Sequence, residues 1–132
     1  MGLDMWASKR KILKNGKHSK TLKEIADWRK HNRLHGWFTE LWVDKGCPYD
    51  GVGDPDAFNC VPLALTKEDL LALKEDILKR ALPETQGFFF GHDSYDWSND
   101  ELDEEEKYDL KFVDNGIKAI NDGYTVIYNS WW

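Results

Sequence analysis

Two cysteines in 132 residues, Cys47 and Cys60, are too few for a disulfide framework. A reduced, intracellular setting is the simplest reading. No apolar run approaches the ~18 residues of a membrane span. The opening Met1-Gly2-Leu3-Asp4-Met5-Trp6 lacks the basic-then-apolar pattern of a secretory signal. Position 6 is Trp where an N-myristoylation signal wants Ser or Thr. A cytoplasmic protein with no membrane partner is therefore expected. Metal motifs are lacking too, with no His-Glu-x-x-His and no Cys-x-x-Cys. His31 and His35 stand four residues apart, with Asp27 one turn earlier on a helical reading, but a third and fourth ligand are missing. Asp50, Asp54 and Asp56 fail the calcium-loop pattern, because Pro55 sits where the glycine belongs and Val61 where the bidentate Glu belongs. No metal or cofactor is expected. Cys60 with His35, and His92 with Asp93, satisfy a catalytic checklist only loosely, so no catalytic residue is assigned.

Aromatic residues, by contrast, are plentiful. They make up 14% of the chain, with seven Trp, which implies an unusually aromatic core, a site for a flat ligand, or a sizeable subunit interface. Charge is abundant but uneven. Residues 1–45 carry 11 Lys and Arg against 5 Asp and Glu, net +6, while the remaining 87 carry 7 against 19, net −12. The imbalance permits an anionic ligand near the N-terminal half, or attraction between the two halves of one fold. Duplex nucleic acid is disfavoured, because the acidic two-thirds would repel its phosphates.

Hydrophobic patterning predicts a first strand over residues 3–13, then a basic turn at Lys14–Lys20 around Asn15-Gly16. Thr21-x-x-Glu24 reads as a capping box, opening a helix that runs to about Asp44. Residues 45–59 form a loop, and Cys60–Leu65 a short strand placed at an edge by Pro62. Thr66 and Asp69 cap a second helix, with Leu70, Leu73, Ile77, Leu78 and Ala81 on its buried face and Pro83 as its stop. Gly87–Gly91, with three Phe, reads as a central strand. The acidic run Asp93–Asp109 leads into a third helix capped at Ser98 or Asn99, open to a kink at Asp114-Asn115-Gly116 and closed by Asn121-Asp122-Gly123. Tyr124–Ser130 is a strand. Trp131 and Trp132 are expected to dock on the domain or on a second subunit, making a homo-oligomer. The expectation is one α+β domain over residues 1–132, with about four strands, three main helices and the order β-α-loop-β-α-β-α-β.

On the long first helix Leu34, Trp37, Phe38 and Leu41 form a core stripe. Trp28, Asn32 and His35 share a second face, flanked by Arg29 and Arg33. That face suits a nucleotide: Trp28 stacks on a base, Arg29 or Lys30 meets a phosphate, and Asn32 and His35 read polar edges. Gln86, Gly87 and Phe88 are the candidate opposite wall. A plainer reading puts Trp28 in the core and has Asn32 and His35 tie the helix to the C-terminal strand through buried hydrogen bonds.

The stretches MGLDM, WRKHNRLHGWF and LPETQGFFFGHDSYD, with a closing strand that ends in Ser-Trp, resemble a family of small proteins of bacteriophages and of bacterial genomes carrying mobile elements. The match falls on Trp28, Arg29, Lys30, Asn32, His35, Trp37, Phe38, Cys60 and Gly87–Gly91. It departs at Leu34, where the family has Ile, at Glu84, where it has Thr, and in the length of the 45–59 loop. The resemblance implies a phage or mobile-element context and brings no activity with it. With the aromatic excess and the cationic N-terminal half, it leads to the expectation of a small binding protein. The most specific version is a sponge for a nucleotide-derived host immune signal, of cyclic-nucleotide or ADP-ribose type. The alternatives are a protein-interaction or inhibitor module using the aromatic surface and acidic helix, and a nucleotide hydrolase.

Overall fold

The computed structural model describes residues 3–46, 58, 61–83 and 101–131. Seven elements occur in the order β1 (Asp4–Lys11), β2 (Lys23–Arg29), α1 (Asn32–Asp44), β3 (Leu63–Leu65), α2 (Lys67–Leu78), α3 (Glu104–Asn121) and β4 (Tyr124–Trp131). The strands form one antiparallel sheet in the order β2-β1-β4-β3. The class is α+β, with four strands and three helices among the described residues.

The principal correction concerns residues 21–31. Thr21 caps no helix. The Asn15-Gly16 turn is closed by Leu13 and Lys17 (N–H to carbonyl, 2.7 Å) and returns the chain along β1, so residues 23–29 pair with that strand as the edge of the sheet. Alternation between the two faces then buries Ala26 and Trp28 in the core. Lys30, at φ +57°, then makes the corner before α1, and its N–H reaches the Leu3 carbonyl at 2.8 Å. A left-handed corner costs a non-glycine residue about 1 kcal/mol, which the ladder and this bond offset. The expected element order is changed accordingly, with a second strand in place of the first half of the helix. The strand expected at Gly87–Gly91 lies outside the described residues.

Other expectations hold with adjustments. β3 is an edge strand, and Thr66 and Asp69 form a capping box at the start of α2. On α2, Leu70, Leu73 and Ile77 are buried, but Leu78 is 53% exposed and Ala81 is exposed, because the helix stops at Leu78. α3 is capped by Asp103 with Glu106, not by Ser98 or Asn99, and runs without a break through Asp114-Asn115-Gly116. Gly116 is where α2 approaches: a Cβ there would sit 2.9 Å from Leu70 Cδ1. Gly123, at φ +90°, ends the helix.

The helices cover one sheet face, which presents Met5, Ala7, Ala26, Trp28, Leu63, Leu65, Val126 and Tyr128 to the core. Leu34, Trp37 and Phe38 meet it from α1, joined by Trp42, which lies outside the expected stripe. The rings stack in series, with Phe38 against Tyr128 at 3.9 Å and Trp42 against Phe58 at 4.9 Å between centroids. Much of the aromatic excess is therefore core. Trp131 does not dock on the described domain, being 59% exposed, and Trp132 lies outside the described residues. No helix among the described residues is long and apolar enough to cross a membrane.

Candidate functional site

The residues assigned to one helical face do not share one. Trp28 is on β2, with its ring edge-on to Phe112 and Tyr108. Its indole N–H donates to Asp109 Oδ1 at 2.7 Å. His31 Nε2 meets the other oxygen of the same carboxylate at 2.6 Å, and its Nδ1 lies 3.5 Å from Glu105 Oε1. Asp109 is 1% exposed, so two side chains from the β2–α1 corner, the Trp28 indole and the His31 imidazole, hold a carboxylate buried on α3. The acidic helix thus contributes a buried acceptor to the core.

His35 is on α1 and buried beneath the sheet, with Nδ1 2.7 Å from the Tyr128 hydroxyl on β4. Its ring stacks on Phe58 at 5.6 Å. Burial pushes its pKa down to about 4 and the Tyr128 phenol well above its usual value, so both are neutral near pH 7. This is the tie between helix and C-terminal strand that the plainer reading describes. Asn32 is fully buried at the start of α1, while Arg29 and Lys30 are exposed at the corner. Arg29 makes only a loose contact with Asp4 at 3.8 Å. Gln86, Gly87 and Phe88 lie outside the described residues, as do Cys47, Cys60, His92, Asp93 and the Asp50–Asp56 triplet. His31 and His35 point to different partners, and no three metal-ligating side chains gather among the described residues.

A different constellation forms where the other end of β2 meets the C-terminal turns of α3. Lys9, Lys23, Ile25, Asn115, Lys118, Ala119 and Asp122 line an open groove of about 380 Å³. Its origin lies in the register of β1 and β2. From Asp4↔Arg29 to Ala7↔Ala26 the pairing is regular; then Ser8 faces Glu24, leaving Ile25 as the extra residue of a bulge. Without the bulge Lys9 would face Glu24, an opposite-charge pair. With it Lys9 faces Lys23, and like charges directly opposite on adjacent strands are unfavourable by a few tenths of a kcal/mol to about 1 kcal/mol. Neither lysine, nor Lys118, lies within ion-pair distance of a carboxylate among the described residues. Lys9 rests its ammonium over the Tyr124 ring at 4.5 Å, which holds the charge without neutralising it. The C-terminal end of the α3 dipole favours cations at this pole and offsets part of their repulsion. Asp122 at the rim limits the positive potential. Chemically, the groove offers three ammonium groups, one amide and the apolar Ile25 wall, a set suited to phosphate or carboxylate oxygens beside a flat apolar body.

Sequence reasoning missed Lys9, Lys23, Asn115 and Lys118 as a group. The excess of cations in the first 45 residues was the available signal, but the bulge that turns two lysines against each other has no sequence signature of its own. Comparison of the chain with protein-family models, with curated proteins and with solved structures gives no match, so the functional reading rests on this geometry.

Proposed function

We propose that the chain is a small binding protein that takes a nucleotide-type anion in the groove between β2 and the end of α3. The observation that carries this reading is the Lys9–Lys23 pair, set face to face by the bulge and joined by Lys118, with no carboxylate paired to any of them among the described residues. A phosphate removes the repulsion on arrival, so part of the binding energy is stored in the free protein. Sequestration fits better than turnover, because the one carboxylate lining the groove, Asp122, has no histidine, cysteine or hydroxyl side chain beside it in that lining. The phage-type resemblance makes a nucleotide-derived immune signal the most specific ligand. An open groove of this size suits micromolar binding, about −8 kcal/mol, whereas nanomolar binding needs about −12 kcal/mol and a more enclosed site.

Calorimetric titration with cyclic dinucleotides, ADP-ribose and nucleoside diphosphates is expected to give heat at one site per chain for at least one of them. The ligand is recovered intact, and Lys23→Glu weakens binding about tenfold or more. No heat with any of them, or unchanged binding by the Lys23→Glu variant, contradicts the reading. A second reading, contact with a protein partner or a second copy, is favoured by Trp131, which is 59% exposed on the sheet face opposite the described helices. Sedimentation showing only monomer over the working concentration range removes the self-association form of it.

A further inference from the structure

We infer that the loop between β1 and β2 is a docking element for an anionic lipid surface, independent of the groove. The loop itself, residues 12–22, carries Lys14, Lys17 and Lys20 and no acid, and the exposed Lys11 adjoins it. None of these four is ion-paired among the described residues. Within the same loop Ile12, Leu13 and Leu22 are 44%, 44% and 52% exposed. They are three of the eight large hydrophobic side chains exposed among the described residues, gathered in eleven positions.

The loop is also pre-ordered. Leu13 N–H donates to the Lys17 carbonyl, Ser19 N–H to the Lys11 carbonyl, Ile12 N–H to the Gly123 carbonyl, and His18 Nε2 meets the Thr125 hydroxyl at 2.9 Å. Its aliphatic groups are therefore held out in a built turn. Cations alone would suit any polyanion. Cations interleaved with aliphatic side chains suit a headgroup layer, where lysines meet lipid phosphates and leucine and isoleucine enter the acyl boundary. Nucleic acid favours aromatic stacking faces beside the cations, and the loop has none between Lys9 and Lys23. The molecule is polarised to match. Glu104, Glu105 and Glu106 start α3 at the opposite end from the turn that holds Ile12, so an anionic surface orients the loop first. No spanning helix is required.

The test is co-sedimentation of the full chain with vesicles of mixed phosphatidylglycerol and phosphatidylcholine, against pure phosphatidylcholine. Binding to the anionic vesicles only is expected. Ile12→Ser with Leu13→Ser, exposed positions that leave the fold intact by circular dichroism, weakens it about tenfold with every charge retained. Lys14→Glu weakens it about fivefold or more, and Lys118→Glu, in the groove, leaves it unchanged. Absence of vesicle binding overturns the inference. So does equal binding by the double serine variant, which would mark a charge-only surface for a polyanion such as single-stranded nucleic acid.

Discussion

Lowering the pH puts the burial of His35 to a quantitative test. The side chain is enclosed between Phe58 and Tyr128, and burial holds its pKa at about 4 against an ordinary value of 6.5. In the unfolded chain the imidazole takes up a proton below about pH 6.5; in the folded chain it does so only near pH 4. The folded pKa is depressed, so the stability from neutral His35 is fully present above pH 6.5 and is lost as pH falls towards 4. Each pKa unit corresponds to about 1.4 kcal/mol, and integration from pH 7.5 to pH 4.5 gives a loss of about 2.5 kcal/mol from this one group. The rest of the chain has a pH dependence of its own, so the measurement is a difference. Urea unfolding of the parent and of His35→Gln is followed at both pH values. The variant is less stable near neutrality, because an amide replaces a stacked ring, but it lacks this titration. The gap between the two proteins is expected to shrink by about 2.5 kcal/mol on acidification. Parallel loss in both, or an NMR titration giving His35 a pKa near 6.5, refutes the buried tie between α1 and β4.

Two further perturbations test the packing that positions the groove. Asp109→Ala leaves the Trp28 indole and His31 Nε2 without their shared acceptor and is expected to cost about 3 kcal/mol or more, with Asp109→Asn costing less because one acceptor oxygen remains; urea unfolding at neutral pH checks both. Gly116→Ala gains up to about 1 kcal/mol of helix propensity but drives a methyl group against Leu70, which is fully buried and has little room to yield, so a net loss of about 1 kcal/mol is expected in the parent. In a Leu70→Ala background the same change becomes stabilising, and a double-mutant cycle by thermal melting that shows simple additivity contradicts the contact.

Local signals carried much of the fold. The Thr66–Asp69 cap, Pro62 at an edge strand, the closing Asn121-Asp122-Gly123 and the β-branched run of β4 each act within a few residues of chain, and all are where their chemistry puts them. The first helix failed because its start was judged from a capping pattern alone. Thr21-x-x-Glu24 is a valid local option, but the hairpin offers residues 23–29 a whole strand of partners, and that gain is non-local. Once the helix is shortened, Trp28 leaves the face it was to share with Asn32 and His35, and the proposed stacking site becomes two separate buried contacts. The burial of Asp109 has a related cause: nothing within a run of acids marks it, and it follows from a buried indole and an imidazole 78 to 81 residues away that converge on it. The groove was least legible of all, since it depends on one bulged residue and on a helix end far along the chain.

The most direct measurement is an amide chemical-shift map of the ¹⁵N-labelled protein, titrated with whichever nucleotide gives calorimetric heat. Shifts centred on Lys9, Lys23, Asn115 and Lys118, and abolished in Lys23→Glu, are the expected result. Shifts centred instead on Trp28, Arg29 and Lys30 with the groove silent, or none anywhere, would contradict the assignment of the anion site to the bulge of β2.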